Sequence, residues 1–151
     1  MGMFFLKELP SREMLKGYKE RFPQMDVDDV GEGLRLLRRA SLLLRRIEAY
    51  FATHKLSQTR FLVLIVLDRE GLHGGLLAKE IAEKLDISRP IVTNTLKSMK
   101  DDGLLHINPH AEDGRAKWIT LTGTGREKLS AVLPEYYAII HDFMNTDKDE
   151  G

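Results

Sequence analysis

Two amphipathic stretches, "LLAKEIAEKL" and "RPIVTNTLKSMK", are separated by little more than Asp86 and Ile87. That spacing restricts the fold more than any other feature. Ile81, Ala82 and Leu85 recur at helical spacing in the first stretch. The same period in the second turns Val92, Leu96 and Met99 to one side. Ser88 occupies the N-cap position of the second helix, and Pro90 lies in its first turn, where a missing N–H is harmless. Gly103 ends it. Two helices joined across so short a turn, the second better capped and more basic, have the pattern of a helix-turn-helix.

The period then changes. "LLHINPH" and "AKWITLT" alternate as short strands around "AEDG", which predicts a β-hairpin. Upstream, Ser57 caps a helix that ends before Gly71, and its apolar residues come nearly all round, so it belongs at the centre of the core. Before it, Leu36/Leu37, Ala40, Leu43/Leu44, Ile47 and Tyr50/Phe51 predict one long amphipathic helix from about Val30 to Thr53. A short helix is expected near Ser11–Arg21, with Met14–Leu15 as its apolar face and Pro23 ending it. "LLAKEIAEKLDIS" reads as helix from its first residue. Thr122 caps a last helix to about Met144, which Pro134 should kink or break. The fold class is therefore mainly α with a small β wing.

The chain has 151 residues, enough for one domain or for one with appended helices. It contains no cysteine, which removes disulfides, thiol catalysis and thiolate metal sites. Basic and acidic residues balance at 23 each, so only their distribution can point to a partner. Between Ser88 and Lys100 the charged residues are Arg89, Lys97 and Lys100, with no acid among them. Arg35, Arg38, Arg39, Arg45 and Arg46 form a second basic cluster, diluted by Glu32 and Glu48; a solvated helix face fits it better than a membrane-binding one. The five histidines are scattered and form no metal set. No nucleophile–base constellation or phosphate-cradling glycine loop is visible, so no enzyme, cofactor or metal is expected. The apolar run Phe61 to Leu67 is far short of a membrane span, and a cytoplasmic location is the expectation.

With Val92, Leu96 and Met99 facing the core, Ser88, Arg89, Pro90, Thr93, Asn94 and Lys97 lie near the opposite, N-terminal face. These residue types read a major groove: arginine forks onto guanine, asparagine onto adenine, and the small side chains reach phosphate or a thymine methyl. The helix N-terminus adds N–H groups and partial positive charge. At the hairpin tip, Gly114 permits the positive φ a tight turn needs, and Asp113 can bond nearby backbone or hold Arg115 in register. Lys117 and His110 are candidate phosphate contacts. By alternation, Trp118 or Ile119 anchors the wing.

Helix, short turn, helix and hairpin form the order of a winged helix-turn-helix. The segments "LSQTRFLVLIVL", "LAKEIAEKLDISRPIVTNTLKSMKDDGLL" and "EDGRAKWITLTGTG" resemble the MarR family of bacterial transcriptional regulators. The resemblance covers about Val30 to Gly125. Its best marker is Asp113 and Arg115 followed by the "LTGTG" of Leu121 to Gly125. The arm before the long helix is longer than is usual in that family, and about 26 residues follow Gly125. The resemblance implies that Arg115 enters a minor groove, where negative potential favours its charge. It also implies that some of the arginines on the long helix line a cleft for a small anionic or phenolic effector.

The organisation expected from this is an N-terminal arm and long helix over residues 1–56, used for dimerisation, and a winged helix-turn-helix DNA-binding domain over 57–121. Residues 122–151 supply a second dimerisation helix and an acidic tail. A homodimer would offer two recognition helices to a near-palindromic duplex DNA site, most simply as a repressor. The alternative is a winged-helix protein-interaction module without DNA binding, suggested by Asp101, Asp102, Glu112 and Asp113.

Overall fold

The helix expected behind Ser57 forms, and it organises the larger of two units, Met1–Ile47 and Glu48–Gly151. The computed structural model describes residues 4, 6–71, 74–109 and 117–146. In the larger unit, α3 (Gln58–Glu70) starts where the Ser57 hydroxyl accepts from the Arg60 N–H at 3.2 Å. It ends where the Gly71 N–H donates to the Leu67 carbonyl at 2.9 Å. Phe61, Val63, Leu64, Val66 and Leu67 are all buried, as expected of a central helix that is apolar nearly all round.

Around α3 pack α4 (Ala78–Lys84), α5 (Arg89–Asp101) and α6 (Gly123–Thr146). A three-stranded sheet completes the unit: β1 (Leu76–Leu77), β2 (Leu105–Pro109) and β3 (Lys117–Leu121). Ile81, Val92, Met99, Ile119, Leu129 and Val132 are fully buried among these elements. An aromatic cluster joins the end of α2 (Val27–Thr53) to α3 and α6. Phe61 lies 4.7 Å from Phe51 and 4.5 Å from Tyr136, ring centre to ring centre, and Phe51 stacks on Tyr136 at 5.8 Å.

Strand β1 corrects the sequence reading, which placed Leu76 and Leu77 in a helix. Leu76 pairs with Ile119 and Leu77 with Trp118, and the helix begins only at Ala78. Pairing satisfies backbone that would otherwise be buried unbonded, and it buries Leu76. The preceding Gly75 has φ 97°, and a side chain there would place Cβ 2.3 Å from the Ile119 carbonyl oxygen. Only glycine admits so close an approach. The hairpin itself forms as expected, β2 pairing antiparallel with β3 from Leu105↔Leu121 to Pro109↔Lys117. The sheet order is β1-β3-β2, which leaves Pro109 on an edge strand where its missing N–H is tolerated. Ile119, rather than Trp118, is the fully buried anchor of the wing.

Helix α6 opens with the Thr122 hydroxyl accepting from the Gly125 N–H at 2.9 Å. It runs as one helix through Pro134, so the expected break does not occur. Leu129, Val132 and Ile139 are buried on either side of the proline, and the Tyr50 hydroxyl donates to the Val132 carbonyl at 3.1 Å. Those contacts support a continuous helix despite the lost backbone bond.

In the smaller unit, α1 (Arg12–Arg21) is capped by the Ser11 hydroxyl, which accepts from the Met14 N–H at 3.2 Å. Leu15 is buried but Met14 is 62% exposed, so only one of the two expected apolar contacts forms. Helix α2 starts at Val27, three residues earlier than its apolar period suggested. The Asp26 carboxylate accepts from the Asp29 N–H at 3.0 Å, and Asp28 and Asp29 favour the positive end of the helix dipole. Leu36, Leu37 and Ala40, expected on the packed face, are exposed on the single chain.

Candidate nucleic-acid interface

Burial of Val92, Leu96 and Met99 fixes the rotation of α5 about its own axis. Ser88, Arg89, Pro90, Thr93, Asn94 and Lys97 are consequently all exposed. The first turn of α5 holds no acid. Ser88 stands at the N-cap with extended backbone, and its hydroxyl does not cap the helix. A hydroxyl and first-turn N–H groups at the positive end of a 13-residue helix therefore face outward, a suitable arrangement for a phosphate. Around the axis, Pro90, Asn94 and Lys97 lie opposite the buried stripe, whereas Thr93 and Arg89 sit on its flank.

Of the wing residues, Lys117 is exposed at the first position of β3, opposite Pro109. His110, Asp113, Gly114 and Arg115 lie outside the described residues.

Two features that hold this surface in place escaped the sequence reading. Arg60 reaches from α3 to the far end of α5, pairing with the Asp102 carboxylate at 2.8 Å and donating to the Ser98 hydroxyl. Its signal was present, since Arg60 is the sole charged residue between Gln58 and Leu67. Asp102, one of the acids that suggested a protein partner, thus already has a structural cation. The second is Thr122, whose hydroxyl also donates to the Gly103 carbonyl at 2.6 Å, while its N–H donates to the Leu104 carbonyl at 3.1 Å. The end of α5, the end of β3 and the start of α6 thereby share one side chain. At the other end of α3, Lys84 of α4 pairs with Glu70 at 3.1 Å.

Within the smaller unit, two of the five clustered arginines hold the N-terminal arm. Arg38 donates to the Leu6 carbonyl at 2.7 Å and Arg45 to the Phe4 carbonyl at 2.5 Å. The Phe4 N–H donates to the buried Ser41 hydroxyl at 2.8 Å. Arg35 lines a hollow of about 140 Å³ with Pro10, Arg12, Leu15, Val27, Asp28 and Gly31. Among the described residues no helix is long and apolar enough to cross a membrane, and no group of three or more His, Asp or Glu is placed to hold a metal.

Comparison with known proteins gives a consistent result. A model of the MarR family matches residues 54–116, which hold α3, α4, α5 and β2. The chain is 28% identical over 145 residues to the HTH-type transcriptional repressor YetL of Bacillus subtilis, covering 96% of this chain and 86% of that protein. The structure is similar to that of AbsC, a MarR family transcriptional regulator from Streptomyces coelicolor, with a TM-score of 0.70 at 18% identity over 79% of each chain. It is also similar to the M. tuberculosis transcriptional regulator MosR in complex with DNA, with a TM-score of 0.59 at 27% identity, covering 70% of this chain and 74% of that one.

Proposed function

We propose that the chain, matched by the MarR family model over residues 54–116, is a winged helix-turn-helix transcriptional regulator of that family and acts as a homodimeric repressor of a near-palindromic operator. The observation that carries this is the outward, acid-free N-terminal face of α5. Each chain presents one such face, and a two-fold dimer sets two of them about one helical turn, roughly 34–36 Å, apart on a duplex. In this reading Arg89 and Asn94 contact bases, Thr93 and Pro90 give shape and apolar contact, and Ser88 and Lys97 bind phosphate. Asp113, Gly114, Arg115 and Lys117 form the wing, with Arg115 in the adjacent minor groove.

Support for a dimer comes from apolar surface that a single chain leaves in water. Leu36 and Leu37 on α2 are 67% and 51% exposed, and Met14 and Tyr18 on α1 and Phe22 at its C-cap follow one another every fourth residue. A small-molecule effector acts, in this reading, by favouring one arrangement of the two DNA-reading heads. Its effect on DNA affinity is limited to its preference between arrangements. With zero formal net charge, phosphate contact depends on local basic surface rather than on the field of the whole protein.

The test is a mobility shift with DNA flanking the protein's own coding region, against random-sequence duplex across a range of salt. A specific shift is expected. Lys97→Ala should flatten the dependence of log affinity on log salt by about 0.9. Asn94→Ala should cost about 1–3 kcal/mol at one base pair and little elsewhere. No shift on any duplex at low salt would instead favour the protein-interaction module.

A further inference from the structure

One side chain on the α5 surface is of the wrong chemical type for a purely polar interface. Ile91 is 52% exposed. Among the described residues from 48 to 122 it is the sole large hydrophobic side chain classed as exposed, the others of that unit lying on α6 at Tyr137 and Met144. Its outward orientation is not a product of loose packing, because the next residue, Val92, is fully buried and fixes the helix rotation. Ile91 is the third residue of α5, in the same N-terminal turn as Arg89 and Pro90, and three residues before Asn94. Residues three apart on a helix are surface neighbours, so Ile91 and Asn94 share one patch. β-Branching leaves the isoleucine essentially one χ1 rotamer in a helix, so less freedom remains to be lost on contact than for an unbranched side chain.

We propose that Ile91 is a specificity-determining residue that reads the C5-methyl group of a thymine in each operator half-site. The inference rests on the DNA-binding reading and deepens it. Of the chemical groups displayed in a major groove, the thymine methyl is the apolar one. An exposed, rigid, branched aliphatic side chain at the tip of a recognition helix matches that group and gains nothing from phosphate or a base hydrogen-bonding edge. A polar neighbour at Asn94 would then hold the adjacent adenine edge, and the two together would read an adenine–thymine step.

The experiment begins by enriching a preferred duplex from a random-sequence pool with the full chain. Each thymine of the enriched half-site is then replaced singly by uracil, which removes the methyl and keeps the pairing. At one thymine per half-site, the native protein should lose about fourfold in affinity, the equivalent of about 0.8 kcal/mol for one methylene-sized apolar contact. Ile91→Ala should lose the same factor on the thymine duplex and show no further loss with uracil at that position. Its melting temperature should stay at the native value, since the side chain is exposed and alanine favours the helix. Uracil indifference of the native protein at every thymine would overturn the assignment. So would an Ile91→Ala variant that keeps the full uracil response, or one that changes oligomeric state while keeping it. Failure to enrich or bind any duplex would be a different result, removing the DNA-binding reading and this inference with it.

Discussion

Gly125 offers the sharpest test of the packing that holds α5 in place. It is the third residue of α6, and an added Cβ would lie 2.2 Å from the carbonyl oxygen of Leu104 and 3.1 Å from its carbonyl carbon. Real Cβ contacts essentially never fall below 3.0 Å, so the separation must grow by about 0.8 Å at least. The obstacle is backbone, which cannot swing aside as a flexible side chain would. That carbonyl also accepts the Thr122 N–H at 3.1 Å, and the same displacement would carry the bond out of range. Overpacking costs about 1–3 kcal/mol and a lost hydrogen bond about 1 kcal/mol. Alanine returns about 1 kcal/mol through helix propensity. Gly125→Ala should therefore destabilise by about 2 kcal/mol, lowering the melting temperature by on the order of 10 °C for a unit of this size. Gly123→Ala, two residues earlier on the same helix, meets nothing within 4 Å and should leave the melting temperature unchanged or slightly higher. Thermal denaturation followed by circular dichroism separates the two variants. A Gly125→Ala protein that melts at or above the native temperature, or a Gly123→Ala protein that falls as far, would show that the Leu104 carbonyl does not exclude a side chain at 125.

Arg60 and Asp102 should show a measurable coupling in a double-mutant cycle to alanine. A value near 1 kcal/mol is expected because the arginine is largely buried and the carboxylate is not, and it should shrink in high salt; no coupling would show that the pair does not brace α5. Alkaline pH should weaken the larger unit. Burial raises the Tyr50 hydroxyl pKa, with the Glu135 carboxylate adding to it, and burial, then Tyr137, raises that of Tyr136. Each hydroxyl holds its proton more tightly in the folded chain. The stability this confers is complete below the ordinary tyrosine value of 10.0 and is lost as pH rises beyond it. Melting temperatures between pH 8 and 11 should decline, and less steeply in Tyr50→Phe; parallel profiles would exclude Tyr50 as a source.

What could be read from the sequence was whatever a local rule controls. Ser11, Ser57 and Thr122 cap helices because a hydroxyl beside exposed N–H groups works the same way in any fold. The spacing of Val92, Leu96 and Met99 located the buried stripe of α5, and with it the outward placement of Ser88, Arg89, Pro90, Thr93, Asn94 and Lys97. Leu76 and Leu77 failed the same approach. Two leucines before an amphipathic stretch fit its helical period, and only Ile119 and Trp118, more than forty residues later, turn them into a strand. Ile91 went unnoticed for a related reason, since a hydrophobic residue inside a helical period is ordinarily counted with the core. Its exposure shows only once Val92 has fixed the rotation.

The "LTGTG" segment shows where local and tertiary causes meet. Its cap is local: Thr122 before a helix suffices to expect it. The requirement for glycine at 125 is tertiary, because it arises from the Leu104 carbonyl, which belongs to the turn that ends α5. The hydroxyl that caps α6 also bonds the Gly103 carbonyl in that same turn. Gly103 itself, at φ 77°, is what lets the chain leave α5 and bring both carbonyls round. A short pattern that reads as a helix start is thus also the joint between α6 and α5. The joint depends on two backbone carbonyls, which have no side chain through which a sequence could announce them.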